Sequence, residues 1–290
     1  MKKCAFLTLS EPGNFVIDDE RAVAPLARLG WDVSILPWRQ EELSWSCFDA
    51  VIIRSTWDYF SDTDNFLNVL TRINKSTRLA NSLELVFWNL SKTYLKDLQN
   101  RGIGIVPTLW PSTLQELDLS GLCTGLASDD VVIKPVVGAN GEDTYRLRRS
   151  HDPVSFREIV SRFRNRIAMV QKFMPAIVKE GEYSLFFFNG IFSHAIRKIP
   201  HPHDFRSQEE RGTEIMPVEP ERGLLKAARK ALATIETPLY ARIDMIRDVG
   251  DEFLVMEFEL IEPSLYLRTD PRAPERFARA IEDWFNGSHG

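Results

Sequence analysis

Short apolar runs alternate with helical stripes along the first part of the chain. The runs CAFLTL, DVSIL and DAVIIRSTWD are rich in β-branched and other apolar residues, which predicts three strands. A helix is predicted around residues 19–29, and Pro25 within it must either delay the start of the helix or kink it. A second helical stripe runs from Thr63 to Ile73. Strands that alternate with helices in this way predict a parallel sheet.

A third helix is predicted in the segment WNLSKTYLKDLQNRG, with Ser91 as its cap and Gly102 as its stop. After the sequence VPTLW the apolar runs follow one another more closely. The predicted order is the strands VVIKP and DTYRL, a helix near 153–164, the strands AMVQKFMP and EYSLFFFNGIFSHAIRKI, a helix over 221–236, the hairpin YARIDMIRDVGDEFLVMEFELI and a final helix in APERFARAIEDWF. Asn189-Gly190 predicts a tight hairpin turn, and RDVGDE marks another. This pattern predicts an antiparallel α+β body.

The amino-acid composition limits the classes of protein to which the chain can belong. The chain has 290 residues, of which 44% are hydrophobic, so it can bury a substantial core and divide into two or three lobes. A formal net charge of −5 and dispersed basic residues leave no electrostatic footprint for nucleic acid. Three widely spaced cysteines, with no C-x-x-C pair, indicate reduced thiols. Because no apolar run is long enough to span a membrane, we expect a soluble cytoplasmic protein.

Candidate chemistry first appears in the stretch VVIKPVVGANGEDTYRL, where Lys134 lies within a predicted strand. An isolated strand lysine is often a solvated edge residue that blocks aggregation. However, the loop that follows carries Gly138 and Gly141, whose main chain can approach a phosphate closely. The pattern is neither a Walker A motif nor a dinucleotide fingerprint, and the glycine loop of kinases precedes its lysine instead of following it.

A second candidate lies in the predicted C-terminal hairpin. Residues two apart on a strand share a face, so Glu257 and Glu259 point the same way, and Asp244 shares a face with Arg242 across the hairpin. One solvated face of an amphipathic sheet would also explain these residues. Carboxylates on facing strands repel each other unless a cation neutralises them, and carboxylate oxygens are the ligands that Mg²⁺ uses in nucleotide sites. We therefore predict a metal site here.

These residues together resemble the ATP-grasp superfamily of ligases. Within it the chain is most similar to the prokaryotic glutathione synthetase-like branch and to the ATP-grasp ligase of cycloserine biosynthesis. The resemblance rests on the ordered motifs VIIRSTWDY, WNLSKTYL, VVIKPVVGANGEDT, VQKFMP, HAIRKIP and MEFELIEPSLYL, which span nearly the whole chain. It implies an α/β N-terminal domain with a parallel sheet (1–82), followed by an α+β ATP-grasp fold. In that fold a central or lid lobe (83–170) and a C-terminal catalytic lobe (171–290) clamp ATP between antiparallel sheets.

The resemblance also implies which residues bind ATP. Lys92 and Lys134 match the lysines that contact ATP phosphates. The loop from Gly138 to Asp143, including Asn140 and Gly141, matches the mobile loop that covers the triphosphate. The remaining matches are Gln171, Lys172, Phe173 and Met174, the hinge that receives adenine, and Glu182, the acid that holds ribose.

The resemblance further implies which residues bind metal ions and which take part in catalysis. Asp244, Glu257 and Glu259 match the Mg²⁺ ligands, although relatives usually have Asn where this chain has Glu259. The implied cofactors are ATP and two Mg²⁺ ions, for which Mn²⁺ can substitute. Arg197 matches a basic residue near the γ-phosphate, and Arg206 matches one that steadies an acyl-phosphate.

Substrate contacts are predicted from the ends of two strands. Arg54, Ser55 and Asp58 follow a strand of the parallel sheet, where open α/β sheets bind ligands, and are expected to hold an amino-acid zwitterion. The alternative is a structural turn with Trp57 and Tyr59 packed beneath it.

Glu262 and Ser264 follow the metal strand and are expected to take a substrate amine and carboxylate. His201 and His203 suggest Zn²⁺, but they lack further Cys or His ligands and more simply flank a loop that covers the substrate.

The implied activity is ADP-forming ligation of a carboxylate and an amine. A small amino-acid-like substrate would be activated as an acyl-phosphate and would form an amide, including by intramolecular cyclisation. Two alternatives stay open: a ligase that adds amino acids to a peptide or protein, and a non-catalytic ATP-binding module. Neither nucleic acid nor membrane is expected as a partner, and relatives in the superfamily are often homo-oligomers.

Overall fold

The computed structural model describes residues 1–40, 43–150 and 153–287. Its first part is a four-stranded parallel sheet in the order β2-β1-β3-β4. The elements are β1 (Lys2–Thr8), α1 (Val23–Arg28), β2 (Trp31–Pro37), β3 (Ala50–Ser55), α2 (Thr63–Ser76) and β4 (Arg78–Ala80). The predicted parallel sheet is confirmed. Helix α2 buries Phe66, Val69, Leu70 and Ile73, the spacing of one helical face, against this sheet.

The middle part carries an antiparallel sheet in the order β5-β8-β6-β7. Its elements are α3 (Leu83–Asn89), α4 (Tyr94–Asn100), β5 (Thr108–Leu109), α5 (Leu119–Gly125), β6 (Asp130–Pro135), β7 (Tyr145–Arg148), α6 (Pro153–Arg162) and β8 (Ala168–Lys172). The domain boundary predicted after residue 170 falls inside β8, and the predicted division into three domains stays a prediction.

The last part is a five-stranded antiparallel sheet in the order β11-β10-β9-β12-β13. Its elements are α7 (Ala176–Lys179), β9 (Glu182–Phe188), β10 (Ile191–Ile199), β11 (Glu214–Pro217), α8 (Arg222–Leu232), β12 (Tyr240–Arg247), β13 (Phe253–Glu259) and α9 (Ala273–Gly287). One face of this sheet packs on α8 and α4, and the other packs on α9 and the N-terminal sheet. The predicted α/β domain with a parallel sheet, followed by an α+β body with antiparallel sheets, is confirmed.

Local sequence signals explain most element ends. Asn189 and Gly190 both have positive φ, 46° and 75°, as a two-residue hairpin turn requires, and they join β9 to β10. The first helix starts late, at Val23, so that Pro25 lies in its first turn, where a main-chain N–H has no helical acceptor. The helix predicted after Ser91 is α4, which begins at Tyr94 and ends at Asn100, shortly before Gly102, whereas α3, which ends at Asn89, was not predicted.

The three cysteines are free, as predicted. No helix in the described ranges is both long enough and apolar enough to cross a bilayer.

Candidate active site

A cavity of about 230 Å³ lies where the three sheets meet. Its walls come from the ends of β6 and β8, from β12 and β13, from the loop that follows β6 and from the loop 204–210. The volume lies below the roughly 300–1,000 Å³ that ligand pockets usually enclose. A nucleotide and a second substrate therefore require a covering loop to move outwards.

One wall of the cavity is built by the pairing of β12 and β13. Asp244 lies directly opposite Glu257, and Arg242 lies directly opposite Glu259, so the four side chains share a face, as predicted. A β-bulge follows Asp244. Arg242 donates to Asp244 at 3.0–3.2 Å and also to Glu259. Two of the carboxylates are thus held by one guanidinium.

Glu257 is held by the two lysines predicted to bind phosphate. Lys134 Nζ lies 2.9 Å from Glu257 Oε1, and Lys92 Nζ lies 3.9 Å from the same oxygen. Burial acts to raise the pKa of Glu257, but the two ammonium groups outweigh it and lower the pKa to about 2. Glu257 is therefore ionised at any working pH, and both lysines lie beside it in the cavity.

The surroundings of Glu259 raise the pKa of its carboxyl, whereas those of Glu257 lower it. Burial raises its pKa, the Arg242 guanidinium opposes this, and the negative charges of Asp244 and Glu257 add to the increase, which brings the pKa to about 7. This carboxyl can therefore change its charge near neutral pH when its surroundings change.

Lys198 is a buried cation of this site that sequence reasoning missed. It forms an ion pair with Glu182 and lies 3.5 Å from Asp244 Oδ1. Burial raises the pKa of Glu182, whereas Arg242 and Lys198 outweigh burial at Asp244 and lower its pKa. Glu182 thus reaches the cavity, already engaged by a lysine.

The prediction for Arg197 is corrected by the pairing of β9 with β10. Arg197 lies opposite Tyr183 and Lys198 lies opposite Glu182, so the two basic side chains point to opposite faces of the sheet. Arg197 donates to Met216 Sδ at 3.8 Å and does not line the cavity. The basic residue of β10 that lines the cavity is Lys198, one position further on.

Arg206 does line the cavity, but its guanidinium is occupied. It donates to both carboxylate oxygens of Asp204 at 2.8–3.2 Å. Burial acts to raise the pKa of Asp204, and hydrogen bonds from Arg206 and from the main chain lower it to about 2. A role at an acyl-phosphate requires Arg206 to leave this partner.

The glycine loop, residues 138–143, lines the cavity and contacts Lys92 and Trp57. Lys92 Nζ donates to the carbonyl oxygen of Gly138 at 2.7 Å, and Asn140 Nδ2 donates to that of Trp57 at 3.3 Å. Gly141 has a φ of 63°, and a Cβ placed there would lie 2.7 Å from Gln208 Oε1. The positive φ favours glycine at this position, and any other residue would be strained and would displace the Gln208 side chain.

The predicted adenine hinge runs from the end of β8 into the next loop. Gln171 donates to Thr108 Oγ1 at 3.2 Å, and the main-chain N–H of Phe173 donates to Asp130. The main-chain N–H of Met174 has no acceptor among the described residues. Residues 171–174 all line the cavity, so a free donor is present where adenine is predicted to lie.

The predicted zwitterion site is not supported by the contacts of its residues. Arg54 is 1% exposed and is held by Asp19 at 3.0 Å and by the carbonyl oxygen of Pro263 at 2.8 Å. Ser55 donates to Asp19, and Asp58 accepts from Trp38 Nε1 at 2.7 Å. None of the three lines the cavity. Their polar groups bind neighbouring residues and fix the end of β3, which fits the alternative of a structural turn.

The aromatic residues of the same loop do reach the cavity. Trp57 and Tyr59 both line it, and Trp57 Nε1 donates to the carbonyl oxygen of Glu262 at 2.7 Å. Glu262 and Ser264 also line the cavity, as predicted. Aromatic and polar residues are interleaved in RSTWDY. This was the available signal that Trp57 and Tyr59 would reach the cavity in place of Arg54, Ser55 and Asp58.

The two histidines of the HPH sequence stay outside the site. His201 and His203 are exposed, their rings are 5.7 Å apart, and neither lines the cavity. Their contacts give no support to a zinc site.

The chemistry of the wall fits Mg²⁺, although no ready metal cage exists. Among residues 1–40, 43–150 and 153–287, no three His, Cys, Asp or Glu side chains converge to hold an ion. Asp244, Glu257 and Glu259 are hard oxygen donors on one wall, which suits Mg²⁺, and each is paired with a cationic side chain. These pairs must rearrange before the carboxylates bind a metal ion.

Two family models match the chain in succession. The model of the N-terminal domain of D-cycloserine synthetase DcsG matches residues 4–81, and the model of the ATP-grasp domain of prokaryotic glutathione synthetase matches residues 107–248. The chain is 29% identical over 275 residues to the cycloserine biosynthesis protein DcsG of Streptomyces lavendulae, which covers 88% of this chain and 89% of that protein.

Solved structures agree with these matches. The crystal structure of D-cycloserine synthetase DcsG has a TM-score of 0.84 at 26% identity and covers 98% of this chain and 99% of its own. The D-alanine–D-alanine ligase from Bacillus anthracis complexed with ATP has a TM-score of 0.69 at 15% identity, covering 99% and 98%, which is a likeness of fold alone. ATP-grasp enzymes use ATP and Mg²⁺. The chain therefore belongs to the ATP-grasp superfamily, in its glutathione synthetase-like branch, and is an ATP-dependent, ADP-forming carbon–nitrogen ligase.

Proposed function

We propose that the protein joins a carboxylate to an amine on a small amino-acid-like substrate through an acyl-phosphate, including by intramolecular cyclisation. The observation that carries the proposal is the meeting of four cations, Lys92, Lys134, Lys198 and Arg242, with the carboxylates of β12 and β13 under one glycine loop. A carboxylate and a triphosphate repel each other, and such a wall is what brings two anions together.

ATP is proposed to lie between the hinge and the cations. Adenine would meet the main chain of residues 171–174, where the N–H of Met174 is a free donor. Glu182 would contact ribose, and Lys92 and Lys134 would contact phosphate oxygens. The loop that contains Gly138, Asn140 and Gly141 would close over the triphosphate.

Metal binding belongs to this proposal. Asp244, Glu257 and Glu259 would hold two Mg²⁺ ions, with Mn²⁺ as a substitute. When bound, Mg²⁺ neutralises phosphate charge and polarises the transferring phosphoryl group. With Glu257 engaged by a metal ion, Lys134 and Lys92 would be free to bind phosphate oxygens.

The chemical steps follow from the charges. A carboxylate oxygen of the substrate attacks the γ-phosphorus of ATP, the bond from phosphorus to the β-phosphate oxygen breaks, and ADP leaves. The amine then attacks the acyl carbon, and inorganic phosphate leaves with the former carboxylate oxygen. Lys198 and Arg242 face the region where this charge develops, and Arg206 joins them on leaving Asp204. Water would hydrolyse the acyl-phosphate, so the loop must close before transfer.

The cavity favours a small substrate over a peptide. Its volume and the contacts of the glycine loop with Trp57 and Gln208 suit a small substrate better than the open channel of a peptide ligase. A ligase that modifies a peptide or protein end needs such a channel.

Release of ADP with Mg·ATP tests the proposal. The panel consists of amino acids, dipeptides and O-ureidoserine, each alone and in pairs. ADP release with a single compound would indicate cyclisation or self-ligation, whereas a requirement for two would identify an acid and an amine. Thermal stabilisation by ATP without ADP release from any compound would overturn the proposal in favour of a macromolecular substrate or a binding module.

A further inference from the structure

Strand β13, which carries Glu257 and Glu259, lies at the edge of its sheet and pairs with β12 on one side only. The main-chain N–H and C=O groups of its other edge need partners of their own, because the strand is largely buried. Near the start of the strand, Val255 finds them in main-chain bonds with Gly104 and Val106, at 2.9 and 3.1 Å. Beside the two glutamates, side chains take over this role.

Asn89, the last residue of α3, takes the place of a neighbouring strand beside Glu259. Its Nδ2 donates to the carbonyl oxygen of Phe258 at 2.6 Å, and its Oδ1 accepts from the main-chain N–H of Leu260 at 2.9 Å. An amide that bonds in this way to the residues before and after Glu259 reproduces the pairing of a parallel strand. Both peptide groups that flank Glu259 are thereby held, which fixes the direction of its side chain.

Tyr94, the first residue of α4, holds the main chain beside Glu257 in a similar way. Its hydroxyl oxygen accepts from the main-chain N–H of Phe258 at 2.8 Å, which holds the peptide group that follows Glu257. Tyr94 is 4% exposed and Asn89 is 8% exposed, so water competes little for these bonds. We call the side chains of Asn89 and Tyr94 the β13 clamp.

The β13 clamp also places Lys92, because Lys92 lies between its two residues in the loop that joins α3 to α4. The ammonium group of Lys92 lies 3.9 Å from Glu257 Oε1. Its main-chain N–H donates to the carbonyl oxygen of Val136 at 2.7 Å, directly after β6, the strand that carries Lys134. The loop 89–94 is therefore tied both to β13 and to the main chain that leads into the glycine loop.

We propose that Asn89 and Tyr94 are positioning residues of the ATP site. As the β13 clamp, they hold Lys92 in a fixed arrangement with Glu257 and Glu259. Groups from different elements serve one triphosphate only if their geometry is held to within about 0.5 Å, and side-chain hydrogen bonds to the main chain supply that precision here. The clamp acts through these three charged groups. This inference rests on the proposed placement of ATP phosphates at Lys92.

Binding of the β,γ-imido analogue of ATP with Mg²⁺, measured by isothermal titration calorimetry, tests the proposal without turnover. Tyr94→Phe removes one hydroxyl and keeps the ring, and we expect the dissociation constant to rise by about 3- to 10-fold. Asn89→Ala removes both amide bonds, and we expect a rise of about 10- to 100-fold. Lys92→Met is the reference for direct loss of a phosphate contact and is also expected to weaken binding.

Tyr240→Phe is the matched control. Tyr240 is fully buried on β12, and its hydroxyl lies 2.6 Å from the carbonyl oxygen of Ile53 and 2.8 Å from that of Ile261. The same substitution there removes a buried hydroxyl with main-chain partners but leaves the β13 clamp intact. We expect Tyr240→Phe to lower the melting temperature and to leave the dissociation constant of the nucleotide unchanged. In Tyr94→Phe both quantities should change.

The outcomes separate this inference from the proposed ATP site. A lower melting temperature with an unchanged dissociation constant in Tyr94→Phe and Asn89→Ala would show that these bonds only stabilise the fold, and would overturn the positioning role. If Lys92→Met weakens binding in the same experiment, the proposed ATP site still stands. Unchanged binding in Lys92→Met would overturn the placement of phosphates at Lys92 and the positioning role with it. ADP release tests the ligase function separately.

Discussion

Lys134→Met is expected to lower kcat by about 100- to 1,000-fold, the effect of removing one preorganised donor from a charge-stabilising site. Lys134 is 8% exposed, and its ammonium group points at Glu257 on the cavity wall. In the proposed site this lysine would donate to phosphate oxygens once a metal ion engaged Glu257. Methionine keeps the length and apolar stem of the side chain but cannot supply the charge. Steady-state ADP release measures the effect.

The control for this prediction is Lys226→Met, on the exposed face of α8. The Lys134 variant should stay folded, because Lys92 remains 3.9 Å from Glu257 and still balances its charge. Thermal unfolding without nucleotide checks this expectation. Full activity in Lys134→Met would show that the lysine is a structural partner of Glu257 and nothing more.

Glu257→Gln is expected to abolish turnover to a similar extent and to raise the Mg²⁺ concentration needed for half-maximal activity. The carboxylate contacts Lys134 and lies near Lys92, so it connects the two lysines proposed to bind phosphate with the proposed metal site. Glutamine keeps one oxygen donor without the charge that attracts Mg²⁺. Titration of ADP release with Mg²⁺, in the variant and in Glu219→Gln on the surface, makes the comparison.

The same residue predicts a dependence of stability on pH. The pKa of Glu257 falls from its ordinary 4.5 to about 2 in the folded protein, so its ionisation stabilises the fold above pH 4.5. That contribution disappears as the pH falls through about 2. Glu257→Gln lacks this contribution and should lose less stability over the same pH range. An identical acid-unfolding profile in both proteins would contradict the ion pair with the lysines.

The fold could be predicted from the sequence wherever a local signal dominates. The Asn189-Gly190 pair predicted the turn that joins β9 to β10, and strand alternation on β12 and β13 predicted the shared face of the four charged residues. Strand β11, which is short and partly exposed, has no such signal and was not predicted. Helix α3 was not predicted either, whereas the predicted cap at Ser91 lies in the break before α4.

The site was harder to predict, because the face of a sheet to which a side chain points depends on how its strand pairs with strands that are distant in sequence. A shift of one residue on β10 exchanges Arg197 for Lys198, since neighbours on a strand point to opposite faces. At the end of β3 the polar residues looked suited to a ligand, but Asp19, contributed by a distant turn, neutralises Arg54. Partners of this kind are visible only once the chain is folded.

The central claim is that a carboxylate is activated by phosphoryl transfer from ATP, and transfer of ¹⁸O tests it most directly. The active substrate found in the ADP assay is labelled with ¹⁸O in its carboxylate and turned over with unlabelled Mg·ATP in ordinary water. If an acyl-phosphate forms, one labelled oxygen leaves with each inorganic phosphate, and mass spectrometry detects phosphate that carries one ¹⁸O. Phosphate without label at full turnover would contradict the account, because the γ-phosphoryl group would then have passed to water and not to the carboxylate.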